Sequence, residues 1–275
     1  MIDFDAILGN LRGRSPLVHC ITNYVTVNDC ANILLACGAS PVMSDDPDEV
    51  EEITSIADAL TVNIGTLNRH TVPSMLLAGK RADALGRPVV LDPVGAGASK
   101  LRTETAKELL GAVRFAAVRC NVSELRALAQ GAHGTRGVDA EAADSPGAAG
   151  PDGVHALAGA FAEKVGAVVA VTGATDVVTD GTRACVIRNG NALMRRVTGT
   201  GCMLSAMTAA YLAANPESPF EAACAAVIAM GVCGELAFAR MSGPDGSAAY
   251  RGYLIDAVYN LTAKQLEEGA RYEMR

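Results

Sequence analysis

A glycine-rich turn in front of an apolar helix is the segment best suited to chemistry. Residues 198–202 read Thr-Gly-Thr-Gly-Cys and connect a predicted strand, 192–197, to a helical pattern. The first amides of a helix lack acceptors within it and bind anions, and glycine lets an anion approach closely. Cys202 falls in the first turn, where the helix dipole favours a thiolate. A glycine-rich turn beside a buried cysteine is the simpler alternative. The turn predicts an anion hole for phosphoryl transfer, made by Gly199, Thr200, Gly201 and Cys202.

Two acidic residues stand close to the ends of predicted strands. Asp92 ends one strand, before a Pro-Val-Gly turn, and Glu124 follows the strand end Arg119-Cys120-Asn121. Carboxylates bind Mg²⁺ directly or through water, so both are candidate metal ligands. The alternatives are structural: Asp92 can cap a loop, and Asn121 with Glu124 can form a helix capping box.

Two more polar residues lie near strand ends. Arg119 is not explained by the capping box and is a candidate ligand for a phosphate group. Thr172 ends the predicted strand 167–172, where its hydroxyl can bind a nucleotide phosphate or cap a turn. The glycine-containing run 95–100 superficially resembles a Walker loop but lacks the Gly-Lys-Ser/Thr ending. It is therefore not a candidate phosphate loop.

The composition predicts a soluble protein with an aliphatic core. The chain has 275 residues, 50% of them hydrophobic and only 4% aromatic, and a formal net charge of −7. This charge argues against a surface for nucleic acid or anionic membranes. The first residues lack a signal-peptide pattern, and the apolar stretch 222–232 is too short to span a membrane. We therefore expect a cytoplasmic protein.

The cysteines and histidines indicate no structural zinc site. Eight cysteines are scattered singly without a Cys-x-x-Cys pair, and only four histidines accompany them. We expect most of the cysteines to be reduced core residues. His19, in an apolar strand, is interpreted as a hydrogen-bonded core residue.

Strand and helix patterns alternate along the chain. Strands are predicted at 17–22, 39–43, 60–63, 88–92, 116–121, 167–172 and 192–197, and helices at 27–37, 47–57, 68–85, 103–110 and 123–130. Largely uninterrupted apolar strands between helices predict a doubly wound, mostly parallel sheet covered on both faces. Residues 131–153 are predicted to be a surface loop, and those from 201 onward several packed helices. With no repeat or composition break, residues 1–275 form one predicted domain.

Six stretches closely resemble the hydroxyethylthiazole kinase family, which belongs to the ribokinase-like superfamily. In chain order they are 17–26 (LVHCITNYVT), 39–43 (ASPVM), 91–97 (LDPVGAG), 119–124 (RCNVSE), 171–173 (VTG) and 198–203 (TGTGCM). The resemblance implies a ribokinase-like α/β fold and ATP- and Mg²⁺-dependent phosphorylation of the primary alcohol of hydroxyethylthiazole. The product is thiazole phosphate for thiamine biosynthesis and salvage.

The resemblance also implies roles for individual residues. Met43 and Gly199 correspond to positions at the thiazole and its reacting hydroxyl, and Asn23 lies in a motif near the thiazole pocket. The nucleotide positions are Arg119 and Thr172, with Asn121 beside them, and the acidic positions for magnesium and phosphates are Asp92 and Glu124. Cys202 stands where related kinases carry a catalytic Asp, which makes it the implied base. A homotrimer with thiazole sites between subunits is likewise implied.

Two departures and three rival functions accompany this resemblance. Cys120 stands where glycine is expected, and 44–46 (Ser-Asp-Asp) is unusually acidic. A pyrimidine-alcohol kinase or a nucleotide-hydrate dehydratase of the same superfamily is expected to carry Asp at position 202 and to lack the motif 22–25. A catalytically silent nucleotide-binding protein is the third rival, and the intact acidic and basic positions argue against it.

Overall fold

A single nine-stranded sheet organises the chain in the computed structural model, which describes residues 2–131 and 151–275. The strands are β1 (Leu17–Ile21), β2 (Ser40–Met43), β3 (Ala59–Asn63), β4 (Val89–Asp92), β5 (Ala117–Asn121), β6 (Val168–Thr172), β7 (Asp176–Thr179), β8 (Ala184–Ile187) and β9 (Tyr272–Met274). Their spatial order is β2-β1-β3-β4-β5-β6-β7-β8-β9. The first six pair in parallel, and the last three extend the sheet in antiparallel pairs. The expected mostly parallel α/β sheet is confirmed.

Helices cover both faces of the sheet and enclose two apolar clusters. The helices are α1 (Phe4–Arg14), α2 (Val27–Cys37), α3 (Val50–Ile56), α4 (Thr71–Ala84), α5 (Lys100–Ala112), α6 (Val122–Gln130), α7 (Pro151–Val165), α8 (Thr200–Ala214), α9 (Pro219–Ala239), α10 (Ser247–Tyr259) and α11 (Ala263–Gly269). Alternation along a strand sends successive side chains to opposite clusters, as in β6, where Val168 and Ala170 face one and Val169 and Val171 the other. Helices α3 to α7 lie on one face, and α1, α2, α8, α9 and α10 contribute to the other.

The same alternation places four polar side chains on the face covered by α8. Ala59, Val90, Ala117 and Ala170 belong to the cluster on that face. Residues at even spacing from them are Asn63, Asp92, Arg119 and Thr172, at or near the carboxyl ends of β3, β4, β5 and β6. The strand order reverses between β1 and β3, and ligands of such sheets bind at a reversal of this kind. The fold therefore collects these groups at one edge.

Two predictions about secondary structure are wrong. Residues 192–197 are not a strand: Ala192–Arg196 form a 3₁₀-helix, whose start is capped when the Asn191 side chain accepts from the Leu193 amide. The predicted loop 131–153 is also shorter at its end, because α7 begins at Pro151. Residues 132–150 of that predicted loop lie outside the described residues.

Three short strands were not predicted. β7 and β8 form an antiparallel hairpin around the Asp180-Gly181 turn, whose turn signal is present in the sequence. β9 pairs with β8, so the helical C-terminal region returns to the sheet edge. At three or four residues each, these strands are too short to produce a distinct pattern.

One described helix, α9, is long and apolar enough to span a membrane by length and composition. In the fold, 78% of its most apolar segment is buried. It packs between α8 and α10 and contributes to the cluster on the α8 face. α9 is therefore a core helix of this domain.

Candidate active site

The glycine turn has the geometry of a helix N-terminus in close contact with neighbouring segments. Gly199 caps α8 with a φ of +89°, a conformation that favours glycine. A Cβ there would lie 2.6 Å from Cγ2 of Thr26. Met203 is the first residue whose amide bonds back along α8, 2.8 Å from the Gly199 carbonyl. The three preceding amides, at Thr200, Gly201 and Cys202, are therefore directed out of the helix start.

Gly201 brings the turn against a buried arginine. A Cβ on Gly201 would lie 2.4 Å from Nη1 of Arg119 and 2.7 Å from its Cζ. Only a residue without a side chain allows the guanidinium this close to the first amides of α8. The turn and a positive charge thus face one position, which is the arrangement an anionic phosphoryl group requires.

Cys202 accepts two amide hydrogen bonds in a half-buried position. Nδ2 of Asn23 lies 3.2 Å from its sulfur and Nδ2 of Asn63 lies 3.3 Å away. Burial, and then the negative charge of Asp92, raise the pKa of the thiol above its usual range. The sequence predicted that the helix dipole favours a thiolate at Cys202, but burial and the charge of Asp92 favour the neutral thiol. The hydrogen bonds from the two amides stabilise the thiolate and lower the pKa, which partly offsets the effect of burial.

Asp92 is fully buried at the end of β4 and is held from two sides. Its Oδ2 accepts from Nδ2 of Asn63 at 2.9 Å and from the Ser205 hydroxyl at 2.8 Å. Its Oδ1 accepts no hydrogen bond and lies 3.7 Å from Nη1 of Arg119. Burial raises the pKa of Asp92, although the Arg119 charge acts in the opposite direction. One carboxylate oxygen is thus left for a ligand that the described residues do not supply.

Arg119 and Thr172 meet across β5 and β6. Nη2 of Arg119 donates to the Thr172 hydroxyl at 2.5 Å. The Arg119 Nε is buried without a hydrogen-bond partner. Cys120, by contrast, turns to the opposite cluster and is fully buried there. The sequence departure at Cys120 therefore lies on the other face of the sheet from the Arg119 side chain.

Glu124 and Asn121 form the capping box at the start of α6. Asn121 Oδ1 accepts from the Glu124 amide at 2.8 Å, and Glu124 Oε2 accepts from the Asn121 amide at 2.9 Å. Glu124 Oε1 also accepts from the Gly95 amide at 2.8 Å, which ties α6 to the turn after β4. Burial and then the charge of Asp92 raise the pKa of Glu124 to about 7. The structural alternative for this pair is confirmed, and Glu124 remains near Asp92.

The donor set suits a lightly coordinated hard cation. Within 2–131 and 151–275, no group of three or more His, Cys, Asp or Glu side chains is arranged around a common metal position. Mg²⁺ commonly uses one or two carboxylates, keeps several waters and completes its shell with phosphate oxygens. The unpartnered Oδ1 of Asp92 and the nearby Glu124 fit that pattern.

Met43 lies in a separate cavity of about 180 Å³ between β1, β2 and the segment after β3. Thr22, Tyr24 and Asp45 also line it. Asn23, between two of these lining residues, donates its amide to the Cys202 sulfur instead. The 22–24 segment therefore connects this cavity to Cys202.

Two site residues were missed from the sequence. Asn63 ends β3 and links Asn23, Asp92 and Cys202, and Ser205 lies one turn after Cys202 on the same helix face. A signal for Asn63 was present, since it is a polar residue that ends an apolar strand. Ser205 carries no comparable signal.

The predictions that His19 is a hydrogen-bonded core residue and that most cysteines are free core residues are confirmed. His19 is buried between the Thr54 hydroxyl, 3.0 Å from Nδ1, and the Ser44 carbonyl, 2.8 Å from Nε2. All eight cysteines are free, and every one except Cys202 is buried.

The nine-stranded, mostly parallel sheet and its two helical layers form a ribokinase-like α/β fold. The structure of pyridoxal kinase from Staphylococcus aureus in complex with AMP-PCP shares this fold, with a TM-score of 0.64 at 16% identity over 94% of this chain and 97% of that one. The sequence profile of the hydroxyethylthiazole kinase family matches residues 8–264, and the chain belongs to that family.

Close relatives agree over nearly the whole length. Hydroxyethylthiazole kinase of Clostridium acetobutylicum is 58% identical over 97% of both chains. That of Desulfovibrio desulfuricans is 48% identical over 94% of this chain and 93% of its own. The structure of the hydroxyethylthiazole kinase protein from Pyrococcus horikoshii OT3 superposes with a TM-score of 0.87 at 36% identity, covering 99% and 98% of the two chains.

Proposed function

We propose that this chain transfers the γ-phosphoryl group of ATP to the primary hydroxyl of hydroxyethylthiazole, giving thiazole phosphate for thiamine biosynthesis and salvage. The observation that carries the proposal is the convergence of the outward amides of the glycine turn with Arg119 and Asp92. Family membership supports the substrate. The acidic chain and its buried apolar helix support a cytoplasmic location.

The nucleotide is assigned to the end of the sheet near β5 and β6. Arg119 and Thr172 would bind its phosphates, with Asn121 at the adjacent helix start. The unpartnered buried Nε of Arg119 supports this assignment, because a buried charged donor without an acceptor is costly unless a ligand binds it. Asp92 and Glu124 would hold Mg²⁺, in part through water. When bound, that ion neutralises charge on the phosphates.

The thiazole is assigned to the cavity beside Met43, with its hydroxyethyl arm directed along Asn23 toward Gly199 and Cys202. The hydroxyl oxygen attacks the γ-phosphorus, the bond to the β,γ-bridging oxygen breaks, and ADP leaves. The hydroxyl proton passes to the Cys202 sulfur in its thiolate form, which is the minor form near neutral pH because burial raises the pKa of this thiol. A loose transition state demands little of this base, so the amides of Thr200, Gly201 and Cys202 contribute more than proton removal.

A homotrimer with thiazole sites between subunits is part of the proposal. Tyr24, which lines the Met43 cavity, and the adjacent Val25 support it, because these large hydrophobic side chains are 77% and 57% exposed. A second copy of the chain covering this rim would close the cavity. Light scattering should then give a mass of about 85 kDa, three times the 28.2 kDa of one chain.

The test is a coupled assay with purified protein and Mg-ATP. Hydroxyethylthiazole should yield ADP and phosphorylated thiazole in equal amounts, and a hydroxymethylpyrimidine acceptor should not react comparably. Turnover of the pyrimidine without the thiazole would replace the proposed substrate. Nucleotide binding without turnover of either alcohol would indicate a silent protein.

A further inference from the structure

Asn63 occupies the centre of a hydrogen-bond network that connects Asp92 with Cys202. It is 1% exposed at the end of β3, in register with Asp92 on β4. Its Nδ2 donates to Asp92 Oδ2 at 2.9 Å and to the Cys202 sulfur at 3.3 Å. Its Oδ1 accepts from the Gly65 amide at 2.9 Å and from Asn23 Nδ2 at 3.0 Å.

These four bonds determine the orientation of the Asn63 amide. A flipped amide would direct its oxygen at the Asp92 carboxylate and the Cys202 sulfur, and its NH₂ group at two donors. Both donor hydrogens and both acceptor positions are used, so the side chain has one satisfied arrangement. Asp92 is held from its other side by Ser205.

We infer that Asn63 is a positioning residue for the phosphoryl transfer proposed above: one amide group holds the Cys202 sulfur and the Asp92 carboxylate at fixed places on its two hydrogens. Both of those groups are acceptors that repel each other when charged, and the amide between them satisfies both. The inference rests on the proposed function, because the sulfur is useful only where it meets the substrate hydroxyl.

Asn63 also has a structural role, which depends on the hydrogen bonds that its Oδ1 accepts. Oδ1 fixes the turn after β3 through Gly65 and the 22–24 segment through Asn23. Asn63→Asp preserves the shape and these two acceptor bonds but leaves no hydrogen for the Cys202 sulfur, because any proton on the new carboxyl is shared with the Asp92 carboxylate. Asn63→Ala removes all four bonds and introduces no charge. The two variants therefore separate the positioning role from the structural one.

The matched control is Ser205→Ala. It removes the other donor to the same oxygen of Asp92 and leaves the Cys202 sulfur with both of its amide donors. A second comparison introduces Asn63→Asp into a Cys202→Ala background. If Asn63 acts through the sulfur, its substitution should cost less once the sulfur is gone.

The expected result is a loss in kcat rather than in substrate affinity. Asn63→Asp should lower kcat by about 100-fold, as for removal of general-base catalysis, with both KM values within about threefold. Ser205→Ala should cost less than Asn63→Asp. In the Cys202→Ala background, Asn63→Asp should cost clearly less in kcat than in the wild-type background, because only the part that acts through Asp92 remains. Folded Asn63→Asp with wild-type kcat, or an equal loss in both backgrounds, overturns the inference. If Asn63→Asp does not fold, the same kcat comparisons with Asn63→Ala decide.

A second readout is independent of turnover. Iodoacetamide should modify Cys202 preferentially, since the other cysteines are buried. Peptide masses locate the label. Modification of Cys202 should be about tenfold slower in Asn63→Asp than in Ser205→Ala, because the thiolate loses a donor and faces a new carboxylate. Equal rates contradict the inference. Absence of turnover in the unsubstituted protein contradicts the proposed function, while the labelling rates still test Asn63.

Discussion

Gly201→Ala tests the contact between the helix start and the buried arginine. Gly201 has no positive φ, so alanine is compatible with its backbone, and alanine favours helix by about 1 kcal/mol over glycine. Its methyl group would lie 2.4 Å from Nη1 of Arg119, well inside the separation of about 3.5 Å at which heavy atoms are in contact. The guanidinium must therefore move by about 1 Å.

That movement breaks the present contacts of Arg119. Its 2.5 Å bond to Thr172 and its 3.7 Å approach to Asp92 would both lengthen. A hydrogen bond involving a charged group contributes about 1.5–3 kcal/mol. The displaced guanidinium would also lose one such bond to the phosphates of ATP. Since about 1.4 kcal/mol corresponds to a factor of ten, ATP should bind about 10- to 150-fold more weakly.

The assay measures the KM for ATP and for the thiazole, together with the unfolding temperature. The KM for ATP should rise by about 10- to 150-fold. The KM for the thiazole should stay within about twofold if Arg119 contacts only the nucleotide. Gly111→Ala in α5 is the matched control, because a Cβ there meets nothing within 4 Å. An ATP KM equal to that of the control, in a folded Gly201→Ala protein, would refute the placement of ATP against Arg119.

Three further results are expected. Cys202→Ala should lower kcat by about 100-fold and leave residual turnover, because the amides of the turn remain; unchanged kcat at every pH would show that Cys202 is not the base. Asp92→Asn should raise the Mg²⁺ concentration for half-maximal activity by about 10- to 100-fold, and an unchanged Mg²⁺ titration would remove Asp92 from the metal site. Burial raises the pKa of Asp176 to about 7, even though its Oδ1 accepts from the Gly173 amide at 2.8 Å. Because the folded pKa lies above the unfolded one, the wild type should lose stability relative to Asp176→Asn as pH rises from 4 through 7. Unfolding temperatures that differ by the same amount at pH 4 and pH 8 would contradict the Asp176 prediction.

The parallel part of the sheet was predictable because each of its strands is a nearly continuous apolar run ended by polar or turn residues. Residues 192–197 were misassigned for a related reason. Their apolar start resembles a strand, but they pair with no strand of the described sheet, and the Asn191 side chain begins a 3₁₀-helix instead. A local pattern does not show whether a segment will lie beside a strand with which it can pair.

The glycine turn of the site was predictable because its backbone amides face the proposed ligand. Properties that depend on side chains from distant parts of the sequence were less predictable. Gly199 and Gly201 follow from the need for close approach at a helix start. The state of the Cys202 thiol does not, because it depends on burial and on Asp92, which is distant in sequence. Asn63 is likewise identified only when β3 and β4 are placed side by side.

The in-register pairing of Asn63 with Asp92, and of Asn121 with Thr172, limits how the length of this chain can change. Deleting one residue within β3 would slip its side chains by one place and turn Asn63 toward the opposite apolar layer. The reacting groups would separate even though every one of them was still encoded. Insertions and deletions compatible with activity should therefore fall in the connections that precede the strands and spare the strands themselves.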